Sequence, residues 1–295
     1  MSGTDGHPAS RAIGARGTRV ALRKLGIRPS RRLGQSFLVD ESIPAKIAAL
    51  AAPRPGQTVL EIGPGLGCLT FALASAGCRV LACELDGRLA GYLQEVTAGL
   101  PGVEVLRGDI LGIDLRDLAE GSDGKLKVAA NLPYQIATEV MFRLIDDREL
   151  FETFTLMFQK EMADRIVAPP GTRDSGVLSV RATMVLDITR EIEVPRSAFH
   201  PQPKVDSTVL QFQVLDEPRF IVGDERFFAM AVKAAFSHRR KTLSNSLASS
   251  GWLRCPAREI AAALEQAGID PKRRAETLDL EEFARMTECL LRLRG

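Results

Sequence analysis

The spacing of apolar residues changes period several times along the 295-residue chain. Over residues 42–51 apolar positions recur at helical spacing, with Pro44 in the first turn, where its fixed φ and missing N–H are tolerated. Thr58-Val59-Leu60-Glu61-Ile62 is instead a short apolar run of strand length, leading into Gly63-Pro64-Gly65-Leu66-Gly67 and a helical pattern through about Ala76. Strand-like runs recur at residues 79–83, 103–106, 125–130 and 154–158, and helical spacing at 138–146, 160–167 and 177–186. Two further strand-like runs, 191–194 and 208–214, follow, and from about residue 216 the pattern is helical to the end. Strands alternating with helices predict an α/β fold with a largely parallel sheet covered on both faces, plus an antiparallel pair late in the chain. The first and fourth strands of such a sheet are neighbours where the strand order reverses, so the loops at their carboxyl ends share one crevice. The expected organisation is a basic, flexible N-terminal extension over residues 1–30, an α/β domain over 31–215 and a smaller α-helical domain over 216–295.

The loop after the first strand narrows the ligand. Strand, glycine loop, helix and strand end in an acid, Glu84, seventeen residues after Gly67, a unit that binds a nucleotide at the carboxyl ends of parallel strands. Glycines let the backbone approach the ligand, and the acid accepts hydrogen bonds from two ribose hydroxyls. A dinucleotide fingerprint would need a glycine where Cys68 stands, and a phosphate loop would need a lysine that is missing. Glu-x-Gly-x-Gly-x-Gly from Glu61 to Gly67 resembles instead the first motif of S-adenosylmethionine-dependent methyltransferases, whose ligand has no pyrophosphate to cradle. Asp109, beyond the run 103–106, adds a second acid to this edge, though such a residue alone also fits a helix cap or turn.

Asn131-Leu132-Pro133-Tyr134 leaves the fourth strand and offers a neutral amide, a rigid turn and an aromatic face. The amide oxygen and the carbonyl before the proline accept N–H bonds while tyrosine stacks on a ring, which suits a flat, amine-bearing base such as adenine. By itself the tetrapeptide also fits a strand-end turn with a packed tyrosine. Phe199-His200-Pro201-Gln202-Pro203-Lys204-Val205-Asp206-Ser207 reads as an extended proline-rich loop. Its Phe199 either presents a ring that sandwiches a base against Tyr134 or is buried beneath the loop.

Charge adds a periphery to this picture. Residues 1–32 carry eight basic side chains against the single acid Asp5, residues 33–218 carry 17 basic against 26 acidic, and residues 219–274 carry 11 against 5. An acidic body between two basic segments points to a polyanion held at the margin, with chemistry in the middle. Ser237 to Leu247 mixes His238, Arg239, Arg240 and Lys241 with hydroxyl and amide groups, the usual contacts to phosphate and sugar, and Lys272-Arg273-Arg274 forms a second basic patch. The start of the chain lacks apolar periodicity, and its first fifteen or so residues read as disordered; an Arg-rich, acid-poor start also fits a transit peptide. No apolar run is long enough to span a membrane and no export signal opens the chain. Five cysteines without a Cys-x-x-Cys pair argue against a disulfide framework or a zinc site.

Taken in order, Leu33 to Leu38, Glu61 to Gly67, Glu84-Leu85-Asp86, Gly108-Asp109, Asn131 to Tyr134, Phe199 to Ser207 and Phe236 to Leu247 resemble the ribosomal RNA adenine N6-dimethyltransferase family. The likeness runs from about Arg31 to the C-terminus and favours the small-subunit branch; where the chain has Ser36 the family often has Asn. The resemblance implies a Rossmann-like S-adenosylmethionine methyltransferase domain with a small C-terminal helical RNA-binding domain. It implies that Gln35 and the backbone near Leu38 close over S-adenosylmethionine, that Gly63 holds its methionine part, Glu84 its ribose and Asp109 its adenine amino group, with Gly65, Leu85 and Asn131 also at the cofactor. Asn131 and the Leu132 carbonyl would face the target N6, with Pro133, Tyr134 and Phe199 completing the catalytic set. Arg239, Arg240, Lys241, Lys272, Arg273 and Arg274 would contact RNA. The implied substrate is small-subunit rRNA in a preassembled particle, acted on by a cytoplasmic monomer without metal. Two alternatives stand beside it, a large-subunit adenine methyltransferase of the antibiotic-resistance type and a noncatalytic assembly factor.

Overall fold

A computed structural model describes residues 14–29, 35–51, 53–122, 124–238, 240–253 and 255–293. The chain forms two compact units, one from Met1–Ala163 and Ile188–Val214 and the other from Asp164–Asp187 and Leu215–Gly295. The first unit starts with α1 (Ala15–Lys24), β1 (Phe37–Leu38) and α2 (Ser42–Ala51). Strands and helices then alternate through β2 (Thr58–Ile62), α3 (Cys68–Ser75), β3 (Arg79–Glu84), α4 (Gly87–Thr97), β4 (Val103–Arg107), α5 (Leu115–Glu120), β5 (Leu126–Asn131), α6 (Ala137–Asp146) and β6 (Phe151–Gln159). After α7 (Lys160–Ile166) and α8 (Val177–Val185) the chain returns as β7 (Leu186–Val194), β8 (Phe199–His200) and β9 (Ser207–Val214).

Seven strands form one sheet in the order β4-β3-β2-β5-β6-β9-β7. The first five are mutually parallel, and β9 runs antiparallel to β6. All five residues of β2 are buried, as a strand covered by helices on both faces requires. Val59, Leu60 and Glu61 pair with Lys127, Val128 and Ala129, so β2 and β5 are the neighbours at the reversal of strand order, as their spacing predicts. Lys127 is tolerated in this central strand because its ammonium donates to the Ala51 carbonyl at 3.1 Å and lies 3.7 Å from the Glu152 carboxylate. The core below the sheet joins Ile43, Ile47 and Ala51 of α2 to Leu69 and Leu73 of α3 and to Val59, Val80 and Ala129 of the strands. A separate two-residue ribbon pairs Phe37 with His200 and Leu38 with Phe199.

The N-terminal stretch departs from the expectation of an unpatterned extension. Ala15–Lys24 is a helix whose inner positions Thr18 and Leu22 are buried. Leu22 and Ile27 pack with Phe37, Leu66 and Leu89, with Ala21, Leu25 and Tyr92 around them. Small and polar residues occupy half of that inner face, which hides its period. Of the first fifteen or so residues expected to be disordered, 1–13 lie outside the described residues.

The second unit contains α8 together with α9 (Glu225–Ala235), α10 (Leu243–Ser249), α11 (Ala257–Gln266) and α12 (Leu280–Leu291). Helix α8 packs on α9 and α12, so residues 164–187 fold with this unit rather than with the α/β domain. Phe236 and Phe283 stack at 5.8 Å between ring centres. Asp279 opens α12 with a capping box, accepting from the Glu282 N–H while the Glu282 side chain accepts from the Asp279 N–H. Both oxygens of Glu282 also accept from the Arg273 guanidinium, which holds the carboxyl below the usual carboxylate range. Stability from a depressed carboxyl is present above its unfolded pKa and fades as pH falls through the folded one. Replacing Glu282 by Gln should therefore cost about 1–2 kcal/mol at neutral pH and progressively less below about pH 4, read in urea melts from the single Trp252 of this unit.

Candidate active site

The carboxyl ends of β2, β3, β4 and β5 face a crevice of about 250 Å³, lined among others by Gln35, Phe37, Leu38, Gly63, Gly65, Glu84, Asp109 and Asn131 to Tyr134. Nearly every residue expected at the cofactor or the target base is thus on one rim, although these segments are spread across 100 residues. The glycine loop reaches this position through backbone conformations that side chains resist. Gly65 has φ +59°, and a Cβ there would sit 3.2 Å from the Phe37 ring. Gly63 has φ +68°, and a Cβ there would meet the Pro133 ring at 3.4 Å. The two motifs are therefore directly apposed.

Glu84 ends β3 with its carboxylate tied down on both oxygens. Oε2 accepts from the Gly65 N–H at 3.0 Å and Oε1 from the Asp86 N–H at 2.9 Å, so one acid fixes both the glycine loop and the start of α4. A carboxylate has about four lone-pair sites. Two remain to accept the hydroxyls of a ribose. Asp109 accepts from the Leu111 N–H at 3.0 Å within its own turn and is among the residues that line the crevice. Leu85, 60% exposed, and buried Leu66, Leu69, Leu89 and Ile110 supply apolar walls. Two acids beneath apolar walls, with no lysine or arginine among the described lining residues, fit the nucleoside, sulfonium-bearing cofactor that the family resemblance implies.

Asn131 closes β5. Its side-chain nitrogen donates to the Ser36 main-chain carbonyl at 3.4 Å, and this fixes the orientation of the amide and leaves Oδ1 as acceptor. Tyr134 is half-buried, and its hydroxyl lies 3.3 Å from Ser207 Oγ at the start of β9. Burial pushes the phenol pKa up, partly opposed by that hydrogen bond. Ser207 is fully buried and anchors the hydroxyl end of the ring. Sequence reasoning missed Ser207, Phe37 and Leu66 as site residues; Ser207 ends a stretch that it read for Phe199 alone.

Phe199 is a correction. The ring is 2% exposed and packs in the core with Leu38, Met157, Val194 and Val209, away from the crevice lining. Register is the physical cause, since in a two-residue strand only one side chain faces each side, and Phe199 opposite Leu38 takes the inner one.

The basic residues expected at RNA sort into three groups. Arg240, Lys241, Lys272 and Arg274 are exposed. Main-chain bonds from Leu243 N to Arg273 O and from Ser244 N to Pro271 O lay the two basic stretches side by side. Arg273 faces inward, its guanidinium engaged by Glu282 and by Thr277. Arg239 lies outside the described residues. Among the described residues, no group of three or more His, Cys, Asp or Glu is placed to hold a metal ion, and no helix is long and apolar enough to cross a membrane.

The parallel sheet, the acid at the end of its second strand and the glycine loop define a Rossmann-like methyltransferase that uses S-adenosylmethionine. The family is given by comparison: a model of the ribosomal RNA adenine dimethylase family matches residues 27–291, and the chain belongs to that family. It is 49% identical over 275 residues to the ribosomal RNA small subunit methyltransferase A of Geobacter metallireducens, covering 93% of this chain and 100% of the relative. A relative of the same name from Magnetococcus marinus is 44% identical over 268 residues, covering 91% and 94%. Among solved structures, a dimethyladenosine transferase from Plasmodium falciparum aligns with TM-score 0.69 at 26% identity, over 85% of this chain and 95% of that one. The 23S rRNA methyltransferase ErmE aligns with TM-score 0.63 at 28% identity, over 86% and 99%.

Glu61 lies beneath the glycine loop, buried, accepting from Thr70 Oγ1 at 2.6 Å. Burial, aided by the nearby Glu84 charge, pushes its pKa up to about 8, and burial raises Glu84 as well. An acid raised by folding binds its proton more tightly in the native state. Stability is then highest below the unfolded carboxylate range and declines as pH rises toward the folded value. The cofactor-free protein should lose melting temperature between about pH 5 and 8, and Glu61→Gln should flatten much of that slope, read by calorimetry across the range.

Proposed function

We propose that the chain transfers two methyl groups from S-adenosylmethionine to N6 of each of two adjacent adenosines in a hairpin loop near the 3′ end of 16S rRNA. The substrate is the preassembled small ribosomal subunit, and the enzyme acts as a cytoplasmic monomer. The single observation that carries the chemistry is the orientation of the Asn131 amide by the Ser36 carbonyl, beside Pro133 and the glycine loop. The small-subunit assignment is supported by a relative of nearly half-identical sequence that spans almost the whole chain.

The chemistry is limited by the target nitrogen. Its lone pair is delocalised into the adenine ring, so the amine is a poor nucleophile. S-adenosylmethionine supplies an electrophilic methyl group on a sulfonium. Asn131 Oδ1 and the Leu132 carbonyl accept the two N–H bonds, which favours a pyramidal nitrogen and aims its lone pair at the methyl. Tyr134, held by Ser207, offers a face to the base, so the adenine leaves its stack to reach the site. The proton becomes acidic only once nitrogen has attacked, and no strong base is needed. Gln35 and the Leu38 backbone cover the cofactor, Gly63 and Gly65 hold its methionine part, Glu84 and Leu85 the ribose and Asp109 the adenine. Arg240, Lys241, Lys272 and Arg274 hold the RNA from the helical unit, while Arg273 is engaged by Glu282.

The likeness to a 23S rRNA methyltransferase keeps large-subunit RNA as the second reading. Transfer of labelled methyl groups to unmethylated small-subunit particles, with naked large-subunit RNA in parallel and nucleoside analysis of the product, separates the two. Dimethyladenosine in the small subunit alone is the expected outcome; transfer to large-subunit RNA alone would reverse the assignment. In the same assay Asn131→Ala should lower kcat by about 100-fold or more while cofactor affinity stays within a few-fold.

A further inference from the structure

Helix α1 carries a one-sign outer face that the chemistry above does not use. Arg16, Arg19, Val20, Arg23 and Lys24 are exposed on it, and Arg28 follows in the exposed turn beyond. Arg16, Arg19 and Arg23 recur at three and four residues, so they form one stripe spanning two helical turns, about 10 Å. No acidic residue occurs between Asp5 and Asp40 to neutralise it. Among the described residues, none of these five cations is in an ion pair.

The helix is fixed where a substrate must arrive. Its inner face rests through Leu22, with Ile27 beyond it, on Phe37, Leu66 and Leu89, and all three of these line the crevice. It also packs against β8, and Arg88 Nη1 donates to the Gly26 carbonyl at 3.2 Å, pinning the turn after the helix to α4. The stripe therefore stands at the rim of the crevice, on the outside of the wall that covers the glycine loop. It lies N-terminal to the stretch that matches the family.

We infer, on the reading that a folded ribosomal RNA is the substrate, that the outer face of α1 grips the RNA backbone flanking the extruded adenosine. A nucleotide turned out of a hairpin leaves its neighbouring phosphates at the mouth of the crevice, where arginines on successive turns meet successive phosphates. A protein partner fits less well, because a protein interface centres on apolar and aromatic anchors, and this face offers only Val20. A membrane fits less well too: a surface-lying basic helix must bury its apolar side in lipid, and here that side is already packed on the crevice wall. The helix thus serves both as a cover for the cofactor wall and as a local phosphate clamp.

The test is a full-length variant carrying Arg16→Gln, Arg19→Gln, Arg23→Gln and Lys24→Gln, assayed on unmethylated small-subunit particles across a salt series. Loss of two or three phosphate contacts should raise KM about 10- to 100-fold near physiological salt and reduce the log–log salt slope by about 2, with kcat at saturating particle and cofactor binding unchanged. A KM and slope equal to those of the unaltered chain would overturn the assignment. If the unaltered chain itself neither binds nor methylates the particles, the substrate reading has failed rather than the role of α1. A photo-crosslinking residue in place of Val20 gives an independent readout: crosslinks to nucleotides beside the methylated adenosines support the clamp, and crosslinks to a ribosomal protein, or to distant RNA only, overturn it.

Discussion

The pairing of β2 with β5 is the constraint on which the rest of the site depends. Three residue pairs, Val59 with Lys127, Leu60 with Val128 and Glu61 with Ala129, set two strands side by side that are more than 60 residues apart in sequence. Every later element of the site inherits that choice. The glycine loop leaves one strand and Asn131 ends the other, and the close approach of Pro133 to Gly63, where an added Cβ would touch the ring, follows from adjacency and parallel direction together. Antiparallel pairing would send the two loops to opposite ends of the sheet. The buried Lys127 with its carbonyl and carboxylate partners shows how closely this seam is held, since a charge in a central strand persists only when its contacts are satisfied.

Electrostatics divides the molecule by role. Inside, the acids are few and individually restrained: Glu61 is kept toward its neutral form by burial, and Glu84 is tied to two main-chain amides. Outside, cations are plentiful and exposed on α1 and, among the described residues, around the start of α10. A neutral or acceptor-rich interior suits a cationic cofactor and a neutral base, and an exterior of exposed cations suits the backbone that carries the base. Arg273 illustrates the difference between the two, because its charge is visible in a basic patch yet closes a structural bond to Glu282.

Much of this was legible in the sequence. Short apolar runs and helical spacing set out the order of strands and helices, and the motif spacing placed Glu84, Asp109 and Asn131 on one edge. What escaped reading depended on partners far along the chain. Helix α1 has an inner face of Thr18, Ala21, Leu22 and Leu25, too short and too mixed to show a period until Phe37, Leu66 and Leu89 are seen opposite it. The segment 164–187 has apolar spacing, which says that a face is buried and not which unit buries it. Phe199 follows the same rule: an aromatic beside two prolines invites a ligand, and only the two-residue register with Leu38 turns it inward.

The amide of Asn131 is held by main-chain oxygen of residue 36, not by its side chain. Its partner is thus common to all twenty amino acids. A different side chain at this position would leave the same main-chain acceptor in place. Residue identity at position 36 is free to drift as long as the path of the backbone is kept, so the heritable information for this contact resides in the neighbours Phe37 and Leu38, whose pairing with β8 sets that path.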